Sequence, residues 1–124
     1  MDFNLEIPRD HLFVRSISEE GIRVKDVYHT TPFILARQQV VADWSVGSID
    51  DISEETLKIV FDMQPELVLI GCGNTQVFLP PATQALFFKR NIGFEVMVTD
   101  AACRTFNVLA AEGREVVAAL LPVS

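Results

Sequence analysis

The feature that most constrains the fold is a nearly continuous apolar run at residues 66–71, ELVLIG. A strand with one wet face alternates apolar and polar residues, whereas a run without alternation is typical of a strand covered on both faces. Two more apolar runs follow, at 94–98 and 116–121, and helical patterns separate the three. Alternating strands and helices predict crossover units and a largely parallel sheet. We therefore expect these runs side by side as interior strands.

The helices between these runs have recognisable start and stop signals. Ser, Thr and Asp cap helix starts, and proline is tolerated in the first turn because its missing N–H costs nothing there. Glycine or asparagine closes a helix in a left-handed turn, and proline beyond the end stops it. The predicted starts are Ser53, Pro80-Pro81, and Thr99 or Asp100, and the predicted ends are Pro65, Asn91 to Gly93, and Gly113.

The first half of the chain is richer in strand patterns than in helix patterns. Residues 12–17, 22–25, 31–35 and 39–44 are strand-like and are separated by polar turns, which favours an antiparallel meander. At 124 residues the chain fits one domain, 1–124, and only its first few residues are expected to stay outside the fold. The expected fold class is α/β: a three-layer domain with a central mixed sheet, a β-rich N-terminal half and a βαβαβ-like C-terminal half.

Charge and cysteine content limit the possible partners and compartments. The formal charge of −7 repels phosphates, so nucleic acid is not expected as a partner. The start of the chain lacks the pattern of a signal or transit peptide, and the apolar stretch 116–123 is too short to cross a bilayer and is interrupted by Pro122. Only Cys72 and Cys103 are present, which suits a reducing compartment. We expect a soluble cytoplasmic protein without membrane insertion.

A short glycine-containing segment follows the first apolar run. Gly71, Cys72, Gly73 and Asn74 could form a loop that lets the backbone approach a phosphate closely. The segment lacks the third glycine of a dinucleotide fingerprint, and no Lys-Ser or Lys-Thr pair follows, as a P-loop requires. A tight structural turn is therefore favoured over a ligand loop.

The start of the third helix holds a second candidate group. Thr99, Asp100, Cys103 and Arg104 lie near the first turn, where free N–H groups attract anions and can lower a thiol pKa. Asp100 opposes that effect, and free cysteine is commonly buried, so a packed and inert Cys103 is favoured. Arg104 is more easily explained as a side chain that bonds a carboxylate or carbonyl of the protein itself than as a substrate ligand. The candidate ligand-binding residues are Gly71, Gly73, Asn74, Thr99, Asp100, Cys103 and Arg104.

No catalytic or metal-binding pattern accompanies these residues in the sequence. A nucleophile needs a base within hydrogen-bond reach, and nothing in the spacing brings His11 or His29 to Cys103. Two Cys and two His without short spacing do not resemble a zinc site. We expect no catalytic residue, no metal and no cofactor, which favours a non-enzymatic role over an enzymatic one.

Three aromatic residues are possible partner contacts: Trp44, Phe87 and Phe88. Adjacent helical residues point about 100° apart, so Phe87 and Phe88 cannot both be central to one narrow core-facing stripe. We name Phe87 and Phe88 as interface candidates, because an exposed apolar patch on this helix would mark an interface.

Four segments carry a resemblance to a known family: 69–73 (LIGCG), 91–97 (NIGFEVM), 99–109 (TDAACRTFNVL) and 112–114 (EGR). The chain resembles the small domain family shared by mitochondrial respiratory complex I assembly factor three, the adipogenesis-associated domain protein and uncharacterised prokaryotic proteins. The resemblance implies a three-layer α/β fold around a mixed sheet. It also implies that mitochondrial relatives act by binding other assembly proteins, and it brings no catalytic residue set.

Two functions therefore stand side by side. The leading hypothesis is a non-enzymatic protein-interaction or assembly-factor-like module with a protein partner. The alternative is a small anionic ligand-binding protein or an enzyme, with its site at the carboxyl ends of the parallel strands, where ligands commonly bind in open α/β sheets.

Overall fold

A computed structural model describes residues 10–123 of the chain. The expectation about the first few residues lies outside this range. The elements in chain order are β1 (Val14–Ser18), β2 (Gly21–Val24), β3 (Val27–His29), β4 (Phe33–Ala36), β5 (Val40–Val41), a 3-10 helix (Ile49–Asp51), α1 (Glu54–Asp62), β6 (Leu67–Cys72), α2 (Pro81–Phe88), β7 (Gly93–Met97), α3 (Thr99–Ala111) and β8 (Val116–Leu121).

The main sheet has five strands in the order β5-β4-β8-β6-β7. Strand β6 runs parallel to both β7 and β8, whereas β4 runs antiparallel to β8 and β5. The sheet is therefore mixed, and the three apolar runs are neighbours, as the sequence predicts. The expectation that all three are interior strands is wrong for β7, which forms an edge. The edge position leaves Gly93 and Glu95 of β7 exposed, which a glycine and a glutamate tolerate. The interior strand β8, by contrast, consists of apolar residues that are all buried.

The strands of the first half divide between two sheets, so the expected single meander is wrong. Strands β1, β2 and β3 form a separate three-stranded antiparallel meander, while β4 and β5 belong to the main sheet. The reason is that Phe33, Ile34 and Leu35 are all buried, so β4 needs cover on both faces and takes it beside β8. Of the segment 39–44, only Val40–Val41 is strand.

Alternate residues of the main sheet enter two separate cores. Leu69 and Leu120 pack with α3 and the three-stranded sheet on one face, and Ile70 and Val117 pack with α1 and α2 on the other. The sheet thus lies between two covering layers, which confirms the three-layer α/β architecture.

The helix ends follow the predicted signals except at the start of α3. Ser53 caps α1, where its Oγ accepts a hydrogen bond from the backbone N–H of Thr56 at 3.3 Å. Left-handed backbone conformations follow each helix, with φ values of 53° at Gln64, 56° at Asn91 and 83° at Gly113. Pro81 occupies the first position of α2.

A buried amide attaches the three-stranded sheet to the helical layer. Asn107 of α3 is 2% exposed. Its Oδ1 accepts a hydrogen bond from the Val14 N–H at 2.8 Å, and its Nδ2 donates to the Val14 carbonyl at 2.9 Å. One side chain therefore satisfies both backbone groups of a β1 residue, at the point where the register of β1 against β2 shifts.

The described chain carries neither a disulfide nor a membrane-spanning helix. Cys72 and Cys103 are both free thiols. None of the helices in residues 10–123 combines the length and the apolar character that crossing a bilayer requires.

Candidate functional site

The turn after β6 meets the start of α3 at one rim of the main sheet. The Gly73 N–H donates to Thr99 Oγ1 at 2.8 Å, and the Thr99 N–H donates to the Gly73 carbonyl at 2.9 Å. Thr99 Oγ1 itself donates to the Leu121 carbonyl at 2.5 Å. The two candidate segments are neighbours, as expected, and one threonine joins the end of β6, the end of β8 and the start of α3.

This junction changes the predicted start of α3. The residue that precedes the helix is Val98, without a side-chain cap, so the expectation that Thr99 or Asp100 caps the helix is wrong. The Thr99 side chain is fully buried and turned toward the strand ends, because both of its hydrogen-bonding partners lie there. Asp100 lies in the first helical turn, with its carboxylate 3.9 Å from the Arg104 guanidinium one turn later.

Both glycines of the turn have a structural reason to be glycine. A Cβ added to Gly71 would lie 2.9 Å from Thr99 Oγ1 and 2.9 Å from Leu120 Cδ2, so a side chain there would clash. Gly73 has a φ of +92°, a conformation that other residues rarely adopt. This geometry agrees with the tight structural turn that the sequence favours.

Cys103 faces the core instead of the rim. Its side chain is fully buried among apolar residues of the α3 layer. Burial, and to a smaller extent the negative charge of Asp100, raises the pKa of this thiol to about 12, although the positive charge of Arg104 partly offsets the rise. This burial and the raised pKa agree with the packed, inert Cys103 that the sequence favours. Cys72 is half-buried, and its thiol donates to the Thr75 carbonyl at 3.3 Å.

The seven candidate ligand-binding residues therefore have different surroundings. Gly71, Thr99 and Cys103 are buried, whereas Asn74 and Arg104 are exposed at the rim. Ligand binding by this group stays a prediction.

The two histidines have local partners of their own. His29 stacks on Phe33 with ring centroids 4.2 Å apart, and burial lowers its pKa below 6.5. His11 Nδ1 lies 2.9 Å from the Leu12 carbonyl. Across residues 10–123, no group of three or more His, Cys, Asp or Glu side chains is placed to hold a metal ion.

The aromatic candidates separate clearly by exposure. Trp44 is only 6% exposed, and its Nε1–H donates to the Thr56 carbonyl at 2.8 Å, so it is a core residue and not a partner contact. Phe87 is fully buried, whereas Phe88 is 67% exposed. Of the two interface candidates, Phe88 is the one that offers a surface, in agreement with their angular separation on α2.

Phe88 belongs to a larger apolar surface, the phenylalanine face, which consists of Phe78, Phe88 and Phe94. Phe78 is 82% exposed, and the half-buried Phe94 lies 5.6 Å from Phe88 between ring centroids. Phe78 and Phe94 line one open groove of about 400 Å³, together with Leu79, Gln84, Glu95, Val96 and Met97. The sequence analysis missed Phe78 because it lies in the loop between β6 and α2, where no helix or strand periodicity applies. It missed Phe94 because the sequence of β7 does not reveal that this strand lies at the edge of the sheet.

Together these features define a small three-layer α/β protein whose strand-end rim is closed by internal hydrogen bonds and whose apolar surface lies beside an edge strand. The chain belongs to the family described as protein of unknown function (DUF498/DUF598), whose model matches residues 14–121.

Several curated proteins are similar to this chain. The NADH dehydrogenase [ubiquinone] 1 alpha subcomplex assembly factor 3 proteins of Mus musculus and Bos taurus are each 37% identical over 113 residues. The match covers 90% of this chain but only 60% and 61% of those relatives, so the chain spans about three fifths of their length. A 13 kDa major membrane protein of Francisella tularensis is 31% identical, over 68% of this chain and 70% of that protein. The resemblance inferred from the motifs is thereby confirmed.

Solved structures confirm the fold. A crystal structure of a protein from Bordetella parapertussis matches with a TM-score of 0.84 and 35% identity, covering 92% of this chain and 98% of that one. An NMR structure of a protein from Xanthomonas campestris matches with a TM-score of 0.81 and 32% identity, covering 98% of this chain and 92% of that one.

Proposed function

We propose that this chain is a non-enzymatic protein-interaction module of the assembly-factor type. The observation that carries the proposal is the 37% identity to an assembly factor over 90% of this chain. The likeness extends across most of the chain and is not confined to a short motif.

The arrangement of the rim supports a binding role over a catalytic one. Thr99 uses its hydroxyl and its backbone N–H within the fold, and Cys103 is buried with a pKa raised to about 12. A nucleophile must be ionised and reachable to react, and Cys103 is neither near neutral pH.

The apolar surface supports protein binding directly. Phe78 and Phe88 are both exposed and both neighbour Phe94 of β7, and exposed aromatic residues that cluster are typical of interfaces. We take Phe88, together with its neighbours, as the interface candidate of this proposal.

Two further parts of the proposal concern ligands and location. Neither the family description nor the named relatives support the alternative of a small anionic ligand at Gly71, Gly73, Asn74, Thr99, Asp100, Cys103 and Arg104. The two free thiols, Cys72 and Cys103, favour the reducing cytoplasm as the place of action.

The test is isolation of the tagged chain, expressed at its natural level, after mild cross-linking in its own cells. We expect a protein partner at a fixed molar ratio, and we expect the same complex to form again from the two purified proteins. Size-exclusion chromatography with light scattering measures the ratio, and the tag alone is the control. A chain that stays without a fixed-ratio protein partner would contradict the proposal.

A further inference from the structure

The outer edge of β7 offers backbone hydrogen-bonding groups beside the phenylalanine face. The Gly93 N–H donates to the Glu66 carbonyl at 3.1 Å, so Gly93 faces β6, and by alternation Phe94 and Val96 direct their backbone groups away from the sheet. The Val96 carbonyl accepts a hydrogen bond from Gln76 Nε2 at 3.1 Å. Within residues 10–123, the N–H and C=O of Phe94 have no hydrogen-bonding partner.

An edge strand and an exposed apolar surface thus coincide. The Phe94 and Val96 side chains lie on the α2 side of the sheet, in the same core cluster as Phe87. The exposed ring of Phe88 lies 5.6 Å from the Phe94 ring, and the exposed Phe78 lines a groove together with Phe94 and Val96. An added strand would gain main-chain hydrogen bonds from β7 and place alternate side chains against these rings.

The charge of this surface indicates which kind of strand fits. Glu95 is the one charged residue lining the groove between Phe78 and Phe94, and in the described chain it makes no ion pair. It is exposed on the face of β7 opposite to Phe94. A basic side chain on the added strand would therefore meet Glu95, while apolar side chains on its other face meet the rings.

A second copy of this chain fits the edge less well. If Phe94 paired antiparallel with Val96 of a second copy, Glu95 would stand directly opposite its own counterpart, and like charges in that position are destabilising. Each copy also carries a net charge of −7. The charges thus favour a basic partner over self-association.

We propose that an extended segment of a protein partner adds as a strand to the outer edge of β7. Its apolar residues, at alternate positions, contact the phenylalanine face, and a Lys or Arg between them pairs with Glu95. The Gln76 amide leaves the Val96 carbonyl when the strand binds. This inference rests on the proposed function, since it names the surface and the partner chemistry that the module uses.

The test begins with selection of binders from a random displayed peptide library on the full chain. We expect the selected peptides to alternate apolar and other residues, with Lys or Arg at positions between the apolar ones. Upon binding of a selected peptide made synthetically, the amide hydrogen of Phe94 should become protected from exchange in NMR spectra, because it becomes part of a strand ladder.

Variants with matched controls show which residues of this surface contribute to peptide binding. Phe78→Ser and Phe88→Ser should each weaken binding of the selected peptide by about tenfold or more, since aromatic residues dominate interface energetics. Val108→Ser, which alters another exposed apolar residue, on α3, should leave it unchanged. Glu95→Lys should shift the selected peptides from basic to acidic, whereas Glu112→Lys makes the same charge change elsewhere and should not.

Three outcomes would overturn the inference. These are selected peptides without the alternation or the basic residue, binding that the phenylalanine variants do not weaken, and a concentration-dependent dimer of this chain that Phe88→Ser abolishes. If one of these outcomes occurs but the chain still forms a fixed-ratio complex in cells, only the β7 surface is rejected and the proposed function is retained. Absence of that complex rejects the proposed function itself.

Discussion

Replacing Thr99 with valine isolates the hydrogen bonds that close the strand-end rim. Valine has nearly the shape of threonine but lacks the hydroxyl. In the wild type this hydroxyl donates to the Leu121 carbonyl at 2.5 Å and accepts from the Gly73 N–H at 2.8 Å. Because Thr99 is fully buried, water cannot take the place of the hydroxyl without opening the junction.

The size of the effect follows from the two groups left without partners. A buried polar group that loses its hydrogen bond costs about 1–3 kcal/mol. The Leu121 carbonyl belongs to a buried residue, so it should bear the full cost of losing its hydrogen bond. Gly73 is only partly buried, so water can replace part of the hydrogen bond that its N–H loses. We expect Thr99→Val to lower the free energy of unfolding by about 2–4 kcal/mol, a large share of the roughly 5–15 kcal/mol typical of a domain.

Urea unfolding at neutral pH, followed by circular dichroism, measures this loss. The matched control is Thr99→Ser, which keeps the hydroxyl and removes one methyl group, with an expected cost of about 1 kcal/mol. If Thr99→Val is no less stable than Thr99→Ser, the hydroxyl does not hold the rim together, and the structural reading of this junction is wrong.

The remaining predictions concern a thiol, an amide and a histidine. Cys103 should resist alkylation in the native state near pH 8, because burial raises its pKa to about 12, whereas Cys72 should react; mass spectrometry after a timed pulse distinguishes them. Asn107→Ala should lower the free energy of unfolding by about 2–5 kcal/mol, since it leaves two buried backbone groups unpaired, while the exposed neighbour Val108→Ala should change it little in the same urea titration. Burial lowers the folded-state pKa of His29 below 6.5, so the unfolded chain binds more protons than the folded one as the pH falls. The contribution of neutral His29 to the free energy of unfolding should therefore be fully present above pH 6.5 and should be lost as the pH falls below it. His29→Gln should flatten this part of a curve of stability against pH.

Local signals in the sequence identified the order of strands and helices in the second half of the fold, although not the edge position of β7 or the start of α3. The unbroken apolar run of β6 predicts a strand covered on both faces, and Ser53, Pro81 and Gly113 mark helix ends where the structure has them. These signals act within a few residues, so they can be read without knowing what packs against them.

Features that depend on distant partners could not be read in this way. The apolar run of β4 indicates a strand covered on both faces, but it does not say which strand will be its neighbour; that depends on β8, which lies far along the chain. Thr99 has the residue type of a helix cap, but its hydroxyl finds partners on Gly73 and Leu121, which come together only in the folded chain. Tertiary contacts overrode the local preference.

The candidate site likewise has features that local sequence predicts and features that depend on distant contacts. Helical geometry was enough to separate Phe87 from Phe88, because the angle between neighbouring residues is a local property. Phe78 and Phe94 could not be added to that surface, because their proximity depends on how the chain after β6 crosses to α2 and on β7 being an edge.

Hydrogen–deuterium exchange of the chain inside its native complex, compared with the free chain, tests the binding surface most directly. New protection should concentrate in residues 92–97 and around Phe78 and Phe88, while the exposed β3 strand with Val27 and Tyr28 should exchange equally in both states. Protection that falls on β3 and spares β7 would show that this domain meets its partner through a different surface.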